Sequence, residues 1–260
     1  MNKKTKIIAV FIAYKAEKTL EKFWDEFPKQ YFDECILVDD ASPDKTFEIA
    51  KKLKGLKSYQ NKTNLGYGGN IRKAVAIALN QGADIIVDIH PDGEYKPSAI
   101  FPALEKIQKE GYEFVMGNRF SSTGNPLKSG MYVWKIFPLI TLSFIDRMVL
   151  KVNISDFHQG FRVYSRKLFE KVNFEKNSND YIFSFELIAQ AAFAKIKTGE
   201  VPVETSYTGE KRGASFVISC KYALETFYVL LKYLLAKINI KSSLFMVPPN
   251  TFENRLAKIR

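Results

Sequence analysis

Ala83-Asp84-Ile85-Ile86-Val87-Asp88-Ile89-His90-Pro91-Asp92-Gly93-Glu94-Tyr95 decides the fold. Its first five residues read as a buried strand, and Pro91 and Gly93 mark the turn where that strand ends. His90, Asp92 and Glu94 then stand at alternate positions of a turn leaving a sheet, where three side chains can converge on one divalent cation. In open α/β sheets ligands bind beyond the carboxyl ends of the strands. A hard cation with open coordination positions is the usual way to hold a nucleotide diphosphate there. A solvated polar turn is the competing reading of this segment taken alone.

Two more segments carry related chemistry. Cys35-Ile36-Leu37-Val38 is another short apolar run, followed by Asp39-Asp40-Ala41-Ser42-Pro43-Asp44-Lys45-Thr46 and a helical pattern from Phe47. Paired carboxylates at a strand end accept hydrogen bonds from a base N–H or ribose hydroxyls. Ser42 or Asp44 is expected to cap the next helix, which accounts for one residue but not for the adjacent pair Asp39 and Asp40. Asn64-Leu65-Gly66-Tyr67-Gly68-Gly69-Asn70-Ile71-Arg72 reads as a glycine-rich turn entering a helix over Lys73–Leu79. Such a turn lets backbone approach a ligand closely, although it is not the dinucleotide fingerprint.

Together these segments resemble the inverting glycosyltransferases of family two and their GT-A nucleotide-sugar-binding fold, in particular the dolichyl- and polyprenyl-phosphate sugar synthases. Ile7–Tyr14 looks like the family's opening strand with its aromatic nucleotide contact, Val38–Ser42 like its acidic pair, and Asn64-Leu65-Gly66 like its third element. His90-Pro91-Asp92 falls where the family has an Asp-x-Asp metal motif, with Glu94 where Gln is common. Met116-Gly117-Asn118-Arg119 matches a Gly-x-Arg element, and Asp156–Arg162 an Asp-x-x-x-Gly-Phe-Arg segment. Glu200–Val203 followed by Arg212-Gly213-Ala214-Ser215 resembles the last strand and its basic loop. The likeness runs over residues 6 to 220 in the family's order. It departs at His90, at Tyr14-Lys15-Ala16 in place of Tyr-Asn-Glu with Glu17 as the nearest substitute, and in the compressed spacing around Arg212.

The resemblance implies an α/β, Rossmann-like GT-A domain over residues 1–215, with a mostly parallel central sheet flanked by helices. A basic amphipathic helix and tail follow over 216–260. It implies nucleotide contacts from Tyr14, Asp39, Asp40, Asn64, Gly66 and Arg72. Mg²⁺ or Mn²⁺ would sit on His90, Asp92 and Glu94, and Asp92, Arg119, Asp156 and Arg212 would be catalytic. A cation at Asp92 would neutralise the leaving diphosphate, and Arg119 and Arg212 would donate charge-assisted hydrogen bonds to phosphate oxygens. A phosphomonoester acceptor, with a second pKa near ~6, attacks without a base. A hydroxyl acceptor needs one, for which Asp156 or His158 is the choice.

Composition agrees with one enzyme-sized domain. The chain has 260 residues, 46 % of them hydrophobic, with strand-like and helix-like runs alternating through its first half. That alternation argues for a mostly parallel sheet with right-handed crossovers. Two unpatterned cysteines, Cys35 and Cys220, point to a reducing compartment rather than a disulfide framework or zinc site. Met1–Lys6 leads straight into a strand, and we see no signal peptide. The net charge is +11, and residues 211–260 hold nine Lys and Arg against Glu225 and Glu253, so most of the excess lies in the last fifth. No recognition motif accompanies this charge, which argues against nucleic acid and leaves a membrane surface or phosphorylated substrate.

Phe216–Ile240 is helical in pattern, with Lys221, Glu225, Lys232 and Asn239 on one stripe and nearly everything else apolar. Ile136–Ile145 is a run of ten uncharged residues interrupted by Pro138. Spanning needs ~20 apolar residues, so both segments are expected to cover the sheet or to lie in a membrane interface, the latter on the cytoplasmic face. Three readings stand: transfer of sugar to a polyprenyl phosphate, transfer to a hydroxyl of a soluble or lipid-linked glycan, and nucleotide-sugar binding without turnover. A nucleotidyltransferase is disfavoured because no glycine-rich, lysine-bearing loop follows the first strand.

Overall fold

Short β-branched runs become strands because their alternate side chains can be buried on both faces of one sheet. In the computed structural model, which describes residues 4–121, 126, 129–207, 215–246, 248 and 250–259, seven strands form that sheet. They are β1 (Ile7–Ala13), β2 (Glu34–Asp39), β3 (Leu56–Gln60), β4 (Ile85–Asp88), β5 (Phe114–Asn118), β6 (Arg162–Ser165) and β7 (Thr198–Pro202). Their order is β3-β2-β1-β4-β6-β5-β7. All neighbouring pairs are parallel except those of β6, which runs antiparallel to β4 and β5.

The period of two divides the core. Ile8, Val10, Ile36, Val38 and Ile86 face one hydrophobic cluster, while Ala9, Phe11, Leu37, Ile85 and Val87 face the other. The first cluster is covered by α3 (Gly66–Asn80), α7 (Phe183–Phe193) and α8 (Phe216–Lys237), and the second by α1 (Leu20–Glu26) and α4 (Ile100–Glu110). The remaining helices are α2 (Thr46–Lys52), α5 (Val133–Leu150), α6 (Arg166–Lys171) and α9 (Phe252–Leu256).

The chain runs outward from β1 through β2 to β3, then returns to place β4 on β1's other side. The carboxyl ends of β1, β2 and β4 therefore meet where the strand order reverses, which is where a ligand crevice opens. The helix expected over Lys73–Leu79 starts earlier, at Gly66, so the glycines lie in its first turn.

α5 and α8 pack against each other, and each buries only a narrow stripe. On α5 the buried residues are Leu142, Ser143, Asp146 and Leu150, and on α8 Thr226, Val229, Leu230 and Tyr233. The outer stripes are also apolar: Phe137 is 76 % exposed and Phe144 61 % on α5, Val217 76 % and Leu224 71 % on α8. Among the described residues no helix is long and apolar enough to cross a membrane.

Candidate functional site

The acidic pair sits at the end of β2. The backbone N–H of Asp40 donates to Ala13 O at 2.8 Å, which brings the pair beside Tyr14 at the end of β1. Lys15 and Ala41, in the loops that leave these two strands, both have φ of +54°. That left-handed conformation is costly for residues with a Cβ and accumulates where loops are shaped for ligands. Tyr14 is exposed, with the Lys15 ammonium 5.2 Å from its ring centroid. Glu17, the candidate to replace the missing Glu contact, instead accepts from Lys45 N at 3.0 Å at the start of α2.

The two buried carboxylates divide their work. Oδ1 of Asp40 accepts from Asn61 Nδ2 and from Leu65 N, both at 2.8 Å, so Asp40 braces the Asn64-Leu65-Gly66 turn. Oδ2 of Asp39 accepts from Ser42 N at 3.1 Å and Gln60 Nε2 at 3.0 Å. Oδ1 of Asp39 is buried and has no hydrogen-bond partner among the described residues. A buried acceptor left open at a strand end awaits a donor. Asn61 and Asn70 were missed in the sequence: Asn61 Nδ2 donates to Asn70 Oδ1 at 3.0 Å, and Asn70 Nδ2 to Val38 O at 3.0 Å. Only strand register could have found them.

Gly66 and Gly68 are pressed against the loop that precedes α7. A Cβ on Gly66 would stand 2.6 Å from Asn179 O, and one on Gly68 would meet Ser178 O, Phe183 and Asp180 O. Gly68 N donates to Asn179 O at 2.7 Å. Arg72, expected on the nucleotide, is committed to the same loop: it donates to Asn179 Oδ1 at 2.8 Å, to Ser178 O at 3.1 Å and to Asn177 O. Residues 177–180 thus approach this turn closely.

Arg119 and Asp156 form a bidentate buried pair. Nε donates to Oδ2 at 2.8 Å and Nη2 to Oδ1 at 2.9 Å, while Arg119 N donates to Oδ2 at 3.1 Å. Arg119 also donates to the Tyr207 hydroxyl at 3.0 Å and to His158 O at 2.7 Å. Burial works against both charges, but their mutual attraction outweighs it, holding the Asp156 carboxyl below its usual range and the guanidinium above its own. Arg119, expected to turn to phosphate, and Asp156, expected as a base, are thus paired with each other. Arg212, expected to complete the cationic set, lies outside the described residues.

His158, the other base candidate, is engaged through both ring nitrogens. Nε2 lies 2.9 Å from Asp146 Oδ2 on α5 and Nδ1 lies 3.1 Å from the Tyr222 hydroxyl on α8. Burial pushes the Asp146 carboxyl above its usual range, with His158 opposing.

At the end of β4, His90, Asp92 and Glu94 are close in sequence, but among the described residues no three His, Cys, Asp or Glu side chains come together to hold a metal. His90 rests with its ring 5.7 Å from that of Tyr67 and 6.2 Å from that of Tyr95, and its Nε2 is buried without a hydrogen-bond partner among the described residues. Asp92 is exposed, and its Oδ1 caps its own turn by accepting from Glu94 N at 2.9 Å. Glu94 is half-buried, and burial, reinforced by the Asp92 charge, raises its carboxyl above the usual value, with Arg119 opposing. Mg²⁺ and Mn²⁺ commonly take one or two protein carboxylates and leave the other positions to water and phosphate. Asp92, open to solvent beside Glu94, fits that mode, whereas a closed three-ligand cage is not formed.

Comparison with known proteins follows the same outline. The sequence profile described as glycosyl transferase family 2 matches residues 8–172. An uncharacterised protein of Methanocaldococcus jannaschii is 29 % identical over 237 residues, covering 90 % of this chain and 93 % of the relative. The UDP-N-acetylglucosamine–dolichyl-phosphate N-acetylglucosaminyltransferase of Methanococcus voltae is 28 % identical over 254 residues, covering 89 % of this chain and 97 % of the relative. Among solved structures, glucosyl-3-phosphoglycerate synthase of Mycobacterium tuberculosis, crystallised with Mn²⁺, UDP-glucose and phosphoglyceric acid, superposes with a TM-score of 0.66 at 16 % identity. That superposition covers 92 % of this chain and 82 % of the other, and it shows a shared GT-A fold. With the profile spanning most of the chain, and with the fold and the strand-end loops in the expected order, this protein belongs to glycosyl transferase family 2 and is a glycosyltransferase.

Proposed function

We propose that the enzyme transfers a sugar, with inversion, from a uridine or guanosine diphosphate sugar to a polyprenyl (dolichyl-type) phosphate, acting as a peripheral protein on the cytoplasmic face of a membrane. The observation that carries this reading is the commitment of both base candidates. A hydroxyl acceptor must lose its proton to a positioned base. Asp156 has both oxygens on Arg119, and His158 has both nitrogens on Asp146 and Tyr222. A phosphomonoester needs no base, because with a second pKa of ~6 it is largely dianionic at neutral pH. The Methanococcus relative, matched over 97 % of its length, is named for just such an acceptor.

In this reading Tyr14, Asp39 and Asp40 face the nucleoside, with the open Oδ1 of Asp39 accepting from the base or ribose. Asn64 and Gly66 shape the adjoining turn. Asp92, with Glu94 beside it, would hold Mg²⁺ or Mn²⁺ against the diphosphate, with His90 at the rim. The bound cation supplies Lewis-acid neutralisation of the leaving diphosphate. An acceptor phosphate oxygen forms the new bond to the anomeric carbon from the face opposite the diphosphate. The bond from that carbon to the diphosphate oxygen breaks, and the nucleoside diphosphate leaves with the electron pair. One in-line displacement inverts the anomeric centre.

The test is product analysis with purified protein, a panel of nucleotide sugars, and either vesicle-borne polyprenyl phosphate or hydroxyl acceptors, with and without a chelator. Sugar found on the phospholipid, together with metal-dependent release of nucleoside diphosphate, is the expected result. Sugar found only on a glycan would transfer the assignment to the hydroxyl reading, and tight nucleotide-sugar binding without product to a non-catalytic one.

A further inference from the structure

β4 and β6 pair just before the turn that carries Asp92, and three unpartnered polar atoms gather there. Asp88 and Arg162 stand directly opposite each other in the antiparallel register of the two strands. Both are buried, at 0 % and 2 % exposure. Asp88 Oδ2 accepts from the Tyr164 hydroxyl at 3.1 Å, and Arg162 Nη1 is directed at the Tyr67 hydroxyl at 3.3 Å and at Gly160 O at 3.4 Å. Asp88 Oδ1 and Arg162 Nε, however, have no hydrogen-bond partner among the described residues. Beyond Asp88 the chain is still bonded to β1, with Ile89 N donating to Val10 O at 3.4 Å, so His90 falls on the same side as Asp88. It lies across Gly160, where a Cβ would stand 3.0 Å from His90 Cε1. The imidazole meets the Tyr67 ring edge-on at 5.7 Å, and its Nε2 is the third buried atom without a partner. Burial raises the Asp88 carboxyl, and the positive charges of His90 and Arg162 oppose that.

Buried polar atoms left without partners are costly, and each calls for a ligand that satisfies it. This set joins a carboxylate oxygen that accepts, a guanidinium N–H that donates and an imidazole nitrogen that does either according to its tautomer. Arg162 disfavours a cation here and Asp88 an anion, whereas water meets both demands with its usual two to four hydrogen bonds. We propose that Asp88, His90 and Arg162 hold internal water, and that this bridge keeps the imidazole turned inward, so that His90 positions the turn carrying Asp92 rather than ligating the cation. The positioning role rests on the reading above, in which Asp92 and Glu94 hold Mg²⁺ or Mn²⁺; the water site does not depend on it.

The two parts are tested separately. A high-resolution crystal structure should show water joining Asp88 Oδ1 to Arg162 Nε or to His90 Nε2. Direct contact among these side chains, with no water between them, overturns the water site. For the positioning role, pulsed electron paramagnetic resonance of the protein with Mn²⁺ and a nucleoside diphosphate should show phosphorus coupling and no coupling from imidazole nitrogen. A nitrogen coupling that vanishes in His90→Gln overturns that role. His90→Leu should lower kcat about tenfold or more by displacing the turn, with the nucleotide-sugar KM within about threefold of wild type. His90→Gln, which keeps a side-chain nitrogen for the water, should recover most of kcat. Equal kcat in wild type and His90→Leu also overturns the positioning role. Wild-type protein that binds no Mn²⁺ beside the nucleotide overturns the metal reading itself; the positioning role then falls with it, and the crystal structure alone decides the water site.

Discussion

At the scale of single residues, adjacent carboxylates in this chain carry different duties. Asp40 is bound into the scaffold by Asn61 and Leu65, whereas Asp39 keeps one buried oxygen open. Asp40→Ala should therefore weaken nucleotide binding in calorimetry and also lower folding stability by about 1–3 kcal/mol, because two buried donors lose their acceptor. Asp40→Asn, which keeps an oxygen for Leu65 N, should restore much of the stability; equal losses in both variants would refute the bracing role. Asp92→Asn should abolish turnover with little change in unfolding midpoint, since an exposed turn residue contributes little to the core. Asp156 is the opposite case. Its removal leaves a buried guanidinium unpaired, so Asp156→Asn should cost about 3–5 kcal/mol at neutral pH. Its carboxyl is held below the ordinary range by Arg119, so its stabilisation is complete above an unfolded value of ~4 and fades as pH falls through the lower folded value. Denaturant titrations should find the gap between wild type and Asp156→Asn narrowing in acid; a gap independent of pH would count against the ion pair.

At the scale of elements, the strands were legible because their signal is local: an apolar run, then a turn rich in Pro, Gly and Asp. The sequence also showed which segments meet at the crevice, since consecutive parallel strands must present their carboxyl ends together. It did not show where the side chains turn. Arg119 and Asp156 are 37 positions apart and meet through the pairing of β5 with the antiparallel β6, which no local period announces. The start of α3 was concealed for a related reason: glycine disfavours helix on its own, and only the 178–180 loop pressed against Gly66 and Gly68 requires it there. Gly68→Ala should thus cost about 1–3 kcal/mol by overpacking, although alanine is the better helix former. A stabilised Gly68→Ala variant would show that the loop gives way. α5 and α8 are joined by the Asp146–His158–Tyr222 chain, with the His158 side chain only 3 % exposed. His158→Ala should destabilise strongly by stranding the Asp146 carboxyl in the interior. A double-mutant cycle between the two positions should give a coupling above about 0.5 kcal/mol, and additivity would argue that the contact is incidental.

At the scale of the whole molecule, one side presents two adjoining helices whose outer stripes are apolar, and α8 itself carries Lys221, Lys232 and Lys237. The periodicity of Phe216–Ile240 disclosed a polar stripe, but not which residues would be covered, because packing on α5 and α7 leaves only Thr226, Val229, Leu230 and Tyr233 of α8 buried. A surface left so apolar in water, with cations around it, suits the boundary between acyl chains and anionic headgroups. The two contributions respond differently to salt. Each basic residue near such a surface is worth ~1 kcal/mol and is screened beyond a Debye length, ~10 Å at 0.1 M salt, whereas burial of apolar area is not screened. Flotation with anionic vesicles should therefore be strong at low salt and only partly lost at about 0.5 M. Replacing Lys232, Lys237 and Lys241 by Glu should remove the salt-sensitive part and lower lipid-acceptor transfer, while Phe137→Ser with Val217→Ser should remove the salt-resistant part. Nucleotide affinity should persist in both variants, because neither set touches the loops after β1, β2 and β4. If wild-type protein stays wholly in the aqueous fraction at low salt, the exposed stripes have another role, and the acceptor must then be sought among soluble molecules.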